Sequence, residues 1–441
     1  RRRVGEMRLE ARGAIEPETA RARLESGLGA AIGTPVRLTG SADVRLLPLP
    51  RIVWTDAAVT DVATGAAVLE AEAIEATIAL APLLHGSAEP VGFTLRGARA
   101  SLRPEAWRLT PDRLAALPPI DVRLENGRID LALDDGRSER LTAIDGRIVR
   151  SDGALSVDLE ARWKTEPVSV DAGLPLASPE TRWRLVVGAA GATLKASGRL
   201  RDGRPGLDGT LSLSLPEPNR LARLLADGLA RDLLRVPLTI SSDLAATPEA
   251  VTLTDLSLSL GRAAATGSLA LALASPGPAL SGTLAFDKLD LSAEPTFGDG
   301  WGVLPLDRRL LGLSLDLRMS AKRLITPHLE LLRAAASLNL AEGRLNAELG
   351  DATLWGRRVS ALLVGDLRDG GLAARLRAVA KDLPAAEIGR LFDVEGVEGG
   401  TVGATFEGQV GCATLSACTG AADGRLRLSA ADLVVTGSSP F

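Results

Sequence analysis

The sequence predicts a mainly β protein in which a long, mostly antiparallel sheet presents one apolar face. The first indication is a recurring pair with a glycine, because such pairs before alternating residues are typical of hairpin turns. The second is an alternation of Leu with polar residues, as at Leu211, Leu213 and Leu215, which places the leucines on one side of a strand. The glycine pair occurs at Asn126-Gly127, Asp145-Gly146, Asp152-Gly153, Ser197-Gly198, Asp208-Gly209, Thr266-Gly267, Ser281-Gly282, Glu342-Gly343, Gly399-Gly400 and Asp423-Gly424.

Three segments have helical periodicity instead. Pro17–Ile32 has apolar residues at every fourth position from Ala20 onward and is followed by Gly33, which predicts a complete helix. Pro218–Leu234 carries arginines opposite its leucines, and Pro384–Phe392 is a shorter apolar segment. Three short helices cannot cover the apolar side of about twenty strands.

Alternating residues predict strands over most of the remaining chain. The proline-rich segment Arg103–Pro119 interrupts them and is expected to be a connection with a short helical turn. The predicted strand regions are Val36–Leu38, Val44–Leu46, Ile52–Val62, Ala71–Leu80, Val91–Leu95, Val122–Leu215, Leu238–Leu289, Gly312–Leu349, Ala352–Val379, a hairpin over Gly396–Gly411 and a strand pair over Asp423–Val435.

The start of the chain suggests a processed form. It opens with Arg1-Arg2-Arg3 without an initiator Met, and the sequence has no run of 18 or more apolar residues, the length of a membrane-spanning helix. We therefore expect residues 1–14 to be a lead-in segment after a membrane anchor that lies outside this chain. Two continuous β-rich halves are expected to follow, residues 15–215 and 216–441.

Composition argues against several classes of partner. The 51 basic and 55 acidic residues are mixed along the chain and give a net charge of −4, so no basic stripe favours nucleic acid. Aromatic residues make up 3% and Tyr is absent, which disfavours platforms that stack sugars or bases.

No catalytic pattern is present. The sequence has no Gly-x-Ser-x-Gly elbow, no phosphate-binding glycine loop and no His-Glu-x-x-His, which are the usual signs of a hydrolase, a nucleotide enzyme or a metalloprotease. Its two histidines, His85 and His328, have no nucleophile nearby in sequence. We expect a protein that is not an enzyme, with no catalytic residues, no metal and no cofactor.

Cys412 and Cys418 are the two cysteines of the chain. One interpretation is a pair of small buried residues, and the other is a local disulfide formed in an oxidising compartment such as a periplasm. The sequence leaves both open.

The alternating apolar residues are the candidate binding surface. Either they form a closed core, or they line an open trough, since a contiguous exposed apolar patch marks an interaction surface; ordinary packing explains each residue equally well. The candidate lining residues are Leu131, Leu133, Leu211, Leu213, Leu215, Leu256, Leu258, Leu260, Leu269, Leu271, Leu273, Leu284 and Phe286.

Several segments, in the same order over nearly the whole chain, resemble AsmA-like proteins, a family whose relatives include TamB-type proteins. Each match is weak alone, and their ordered sum carries the resemblance. The matching segments are Thr19–Glu25, Gly33–Gly40, Leu47–Ile52, Ala81–Gly86, Thr254–Gly261, Ala265–Leu269, Leu338–Leu345 and Asp423–Leu426.

The resemblance implies a long, twisted, mostly antiparallel sheet curled into a taco-like groove, with about three short helices. It also implies a periplasmic protein of Gram-negative bacteria, attached to the inner membrane, that shields phospholipid acyl chains on the way to the outer membrane. The partners would be phospholipid or another acyl lipid, the membrane, other envelope proteins and no nucleic acid. The alternative is a structural or assembly factor for outer-membrane biogenesis that conducts no lipid.

Overall fold

The computed structural model confirms the predicted fold class, a mostly β, mostly antiparallel protein with three short helices described, the first near the N-terminus. The structure describes residues 17–32, 35–45, 49–62, 65, 67–81, 90–102, 119–132, 138–151, 153–176, 182–201, 206–224, 236–273, 277–291, 312–326, 329–368, 371–413, 418 and 422–436.

The described residues form two compact units, residues 1–190 and 191–441. This division differs from the one expected at residue 215, which lies inside the second unit. The first unit contains α1 (Pro17–Ile32), β1 (Val36–Arg45), β2 (Arg51–Asp61), β3 (Ala67–Ile78), β4 (Pro90–Arg96), β5 (Arg99–Leu102), β6 (Ile120–Ala132), β7 (Ser138–Arg150), β8 (Ala154–Trp163), β9 (Glu166–Pro175) and β10 (Trp183–Ala189).

The second unit begins with β11 and contains the other two helices. Its elements are β11 (Ala192–Leu200), β12 (Leu207–Leu215), α2 (Pro218–Leu224), β13 (Leu238–Ala246), β14 (Ala250–Leu260), β15 (Ala263–Ala272), β16 (Ala279–Asp290), β17 (Ser314–Ile325), β18 (Glu330–Ala341), β19 (Arg344–Leu354), β20 (Arg357–Arg368), β21 (Gly371–Pro384), α3 (Ala385–Leu391), β22 (Val397–Cys412) and β23 (Ala422–Val435).

Strands pair mainly with their neighbours in sequence, because short connections favour antiparallel neighbours. In the first unit β4 and β5 together lie between β3 and β6, antiparallel to β3 and parallel to β6. In the second unit the ladder runs from β11 to β23, and β16–β17 is its parallel pair.

Closed packing is concentrated under α1. Ala20 and Leu24 of this helix have no exposed surface and belong to the cluster that contains Ile52, Trp54 and Ile74. An amphipathic helix that covers the first strands in this way closes the core there.

The glycine pairs are the main correction to the sequence analysis. Eight of the ten predicted turns lie inside strands, and the turns at Gly153 and Gly343 are confirmed. The predicted hairpin over Gly396–Gly411 is likewise the single strand β22, and the strand pair over Asp423–Val435 is the single strand β23.

Close approach between strands explains glycine at these positions. Gly198 and Gly209 lie opposite each other in β11 and β12. A Cβ atom on Gly198 would lie 1.8 Å from the carbonyl oxygen of Asp208, and one on Gly209 would lie 2.0 Å from that of Ser197. Glycine inside a strand marks such an approach, often together with a bend. The glycine pair therefore marks a close approach of two strands rather than a turn.

The helices were predicted more accurately. α1 has the predicted bounds, and α3 is one residue shorter at each end than predicted. α2 is described from Pro218 to Leu224, and the rest of its predicted range lies outside the described residues. The predicted strands at Val36 and Val44 are one strand, β1, with an irregularity between Thr39 and Ser41. The connection predicted at 103–119 lies almost entirely outside the described residues.

Candidate functional site

One side of the second unit's sheet is apolar across its paired strands. The register places Leu194 of β11 opposite Leu213, Leu213 opposite Ile240, and Ile240 opposite Leu258. The same side continues through Leu271 and Leu280 to Leu315, and through Leu340, Leu345, Leu363 and Leu376 to Phe406 and Leu426. We call this side the apolar face of the second unit.

The apolar face is only half-buried along the middle of its strands. In β12 and β17, half-buried leucines alternate with exposed polar residues. A leucine in a closed core is normally buried, so half-burial indicates that no second layer of described residues covers these positions.

The opposite side of the same sheet is polar. Ser197 pairs with Thr210, and Ser268 pairs with Thr283, through their hydroxyl groups. Exposed ion pairs such as Arg323–Glu330 join neighbouring strands on the surface. One side therefore faces water as polar surface, and the other leaves apolar surface accessible.

Most of the predicted lining residues lie on an apolar face and are half-buried. Leu215 and Leu256 lie on it but are 1% exposed, so they serve packing rather than an accessible surface. Leu273 is 52% exposed at the end of this side, and Leu133 lies outside the described residues. The half-buried residues are Leu131, Leu211, Leu213, Leu258, Leu260, Leu269, Leu271, Leu284 and Phe286.

Two buried clusters lie at opposite ends of the strands from β17 to β22. One contains Leu340, Leu372 and Val410, and the other contains Ala334, Leu354 and Leu383. Between them, positions such as Leu317 and Leu338 are half-buried. The sheet from β17 to β22 is therefore closed at its strand ends and accessible along the strand centres.

The first unit has a comparable face on β6 to β10. Val157, Leu159 and Val170 are half-buried there, and Val170 lies opposite Val187. At one end of this face the indole Nε1 of Trp163 donates to Glu139 at 2.8 Å, and the ammonium of Lys164 lies 5.6 Å from the centre of the Trp163 ring. This end of the face is polar, and its polar side chains interact with one another.

The other end of the first unit's face holds two residues that sequence reasoning missed. Arg150 continues the apolar series of Ile144 and Ile148, and its Nε and Nη1 are buried without a hydrogen-bond partner in the described part of the chain. Trp183 is 4% exposed, and its Nε1 has no partner either. The period of β7, continued to its last residue, was the signal that could have identified Arg150.

Two depressions in the described surface lie outside the apolar faces. One, of about 670 Å³, lies beside α3 and is lined by residues such as Arg390, Asp393 and Glu395. The other, of about 410 Å³, lies on the first unit's polar side and includes Arg147 and Asp158. Polar atoms supply most of the lining surface of both depressions, so neither suits an acyl chain.

Ion pairs on the polar side of the first unit shift the pKa of individual carboxylates. The Nε of Arg147 donates to Asp121 at 2.8 Å and a second nitrogen donates to the other oxygen, which holds the pKa of Asp121 below its ordinary value. Arg140 lowers the pKa of Asp130 in the same way. These arginines hold the carboxylates ionised on the surface.

Cys412 and Cys418 form a disulfide whose Cα atoms are 5.0 Å apart. Cys412 belongs to the buried cluster with Leu372, and Cys418 packs against that cluster. The bridge therefore ties the segment after β22 to the closed end of the sheet.

In the part of the chain that the structure describes, no three or more His, Cys, Asp or Glu side chains gather in a way that could hold a metal ion. No helix in that part combines the length and the apolar character needed to cross a membrane.

Comparison with known proteins gives no further evidence on function. No protein-family model, curated protein or solved structure matches the chain. The apolar faces, the polar ends of the first unit's face and the disulfide are therefore the observations on which a functional conclusion rests.

Proposed function

We propose that the chain is a lipid-binding and lipid-transfer protein whose apolar faces shield phospholipid acyl chains. The observation that carries the proposal is the half-buried leucine series across β12 to β22. Exposing a methylene to water costs about 0.8 kcal/mol, so an acyl chain of about sixteen carbons gains on the order of 10 kcal/mol from an apolar surface. Aliphatic side chains supply this shielding without aromatic contacts, which suits sliding.

The proposed setting is the periplasm, with attachment to the inner membrane through a segment outside this chain and transfer toward the outer membrane. The Cys412–Cys418 disulfide supports an oxidising compartment, because disulfides are rare in reducing ones. The resemblance to AsmA-like proteins supports the membrane attachment and the direction.

A charged substitution on the apolar face tests the proposal. Leu317 is half-buried in the centre of β17, and Ser320 is exposed on the other side of the same strand. In transfer of a fluorescent phospholipid between donor and acceptor vesicles, Leu317→Asp should lower the rate about tenfold, since a carboxylate beside an acyl chain costs more than about 1.4 kcal/mol. Ser320→Asp, as the matched control, should leave the rate unchanged.

The outcomes separate two functions. Equal rates for both folded variants would contradict transfer along this face. Absence of lipid uptake by the folded wild type would favour the alternative, a structural or assembly factor. That alternative has one observation in its favour: Leu426 and Leu428 of β23 are 59% and 65% exposed beside the last described strand pairing.

A further inference from the structure

Arg150 and Trp183 lie on one row across the end of the first unit's apolar face. The register places Arg150 opposite Leu155, and Leu155 opposite Leu174. Trp183 comes one position before Arg184, which pairs with Gly173, so Trp183 follows Leu174 on this row. Because neighbouring strands lie about 4.8 Å apart, the two Cα atoms are about 14 Å apart, with two apolar residues between them.

Both side chains offer hydrogen-bond donors and no acceptor. Arginine has five N–H groups and indole has one. The Nε and Nη1 of Arg150 and the Nε1 of Trp183 are buried and have no hydrogen-bond partner among the described residues. Burying a cation without a partner is costly. This row therefore lacks a negatively charged hydrogen-bond acceptor.

Two other buried nitrogens of the first unit that lack a hydrogen-bond partner lie in different surroundings. Trp54 also has a buried Nε1 without a partner, but it lies in the closed core under α1. The Nε of Arg51 is unpartnered, yet another nitrogen of the same side chain pairs with Glu75 at 3.5 Å. Arg150, by contrast, lies at the end of an open face: its partner Leu155 is buried, and the next residue of that side of β8, Val157, is half-buried.

We propose that Arg150 and Trp183 form a subsite for the phosphate of a phospholipid whose acyl chains lie on the first unit's apolar face. The guanidinium donates charge-assisted hydrogen bonds to a phosphate oxygen. A phosphodiester has two non-bridging oxygens, so the indole can donate to one while the guanidinium holds the other. This subsite rests on the proposed lipid-binding function and adds headgroup recognition to it.

The test compares lipids that differ in the phosphate. The full chain is loaded separately with phosphatidylglycerol or with acyl-matched diacylglycerol, each delivered from a phosphate-free detergent, and retained lipid is measured by mass spectrometry. Arg150→Gln should lower phosphatidylglycerol retention about tenfold, because the hydrogen bonds lost between the guanidinium and the charged phosphate weaken binding by about this factor. It should leave diacylglycerol retention unchanged. Trp183→Phe, which removes only the N–H donor, should give a smaller loss of the same selectivity.

The control is Arg162→Gln, because Arg162 is exposed on the polar side of β8; it should change neither lipid. Equal loss of both lipids in Arg150→Gln, or no loss of either, would overturn the subsite. Inorganic phosphate alone is the further control. If it gave a protected ³¹P signal that Arg150→Gln abolished, while the same substitution left phosphatidylglycerol retention unchanged, the headgroup assignment would be overturned. Failure of the wild type to retain any lipid would instead overturn the proposed function.

Discussion

At the residue scale, burial separates leucines that look identical in sequence. Leu256 and Leu271 both follow the Leu-x-Leu pattern and lie on the apolar face of the second unit. Leu256 is 1% exposed, whereas Leu271 is half-buried. The first lies beside Asp255, whose positive φ of 48° accompanies a shift in register. Local bending, which alternation does not encode, decides which leucine is covered.

Leu256→Ala should therefore destabilise the protein by about 2–5 kcal/mol, the cost of a cavity at a buried leucine. Leu271→Ala should cost less, since its side chain loses fewer contacts. Urea unfolding followed by circular dichroism measures both. Equal losses would mean that Leu271 is packed in a closed core.

The Asp121–Arg147 pair predicts a pH dependence of stability. The folded-state pKa of Asp121 is lowered because Arg147 donates to its ionised form. The resulting stabilisation is present above about pH 4, the ordinary range of Asp, and is lost as the pH falls through the lower folded pKa.

Asp121→Asn should accordingly lower the melting temperature at pH 7 and have a smaller effect near pH 2. The effect should be small, because exposed pairs contribute little. Asp316→Asn, at an exposed position in β17, should show no such convergence. A constant difference for Asp121→Asn across this pH range would contradict the ion-pair origin.

At the element scale, alternation was the reliable signal and the glycine pairs were not. The period of two located the strands because it reflects the two sides of a sheet. The Asp-Gly and Ser-Gly pairs suggested turns, but Asp208-Gly209 and Ser197-Gly198 lie within paired strands. A sequence pattern does not distinguish glycine chosen for a turn from glycine chosen for close strand approach. Arg150 and Trp183 were missed because their shared row depends on strand register.

Gly198→Ala should destabilise the second unit by about 1–3 kcal/mol, the typical cost of overpacking. Its Cβ would lie 1.8 Å from the oxygen of Asp208, so the strands must move apart. Gly411→Ala is the matched control, because a Cβ there meets nothing within 4 Å. Similar unfolding midpoints for the two variants would show that the close approach is not needed.

At the scale of the whole molecule, each unit combines a polar side with an apolar side that its own helices do not cover. In the first unit α1 closes the first strands, and the face of β6 to β10 stays half-buried. In the second unit the ends of strands β17 to β22 are closed, and their centres are accessible. Apolar surface maintained on this scale marks an interaction surface, and acyl chains are the occupant that we propose for it.

Site-specific photo-crosslinking tests this assignment most directly. A photoreactive residue at position 271 replaces the half-buried Leu271, and one at position 266 replaces the exposed Thr266 on the other side of the same strand. After incubation with phospholipid vesicles, mass spectrometry should find lipid attached at position 271 and none at position 266. Equal labelling at both positions, or none at position 271 in the folded protein, would contradict a lipid-binding apolar face.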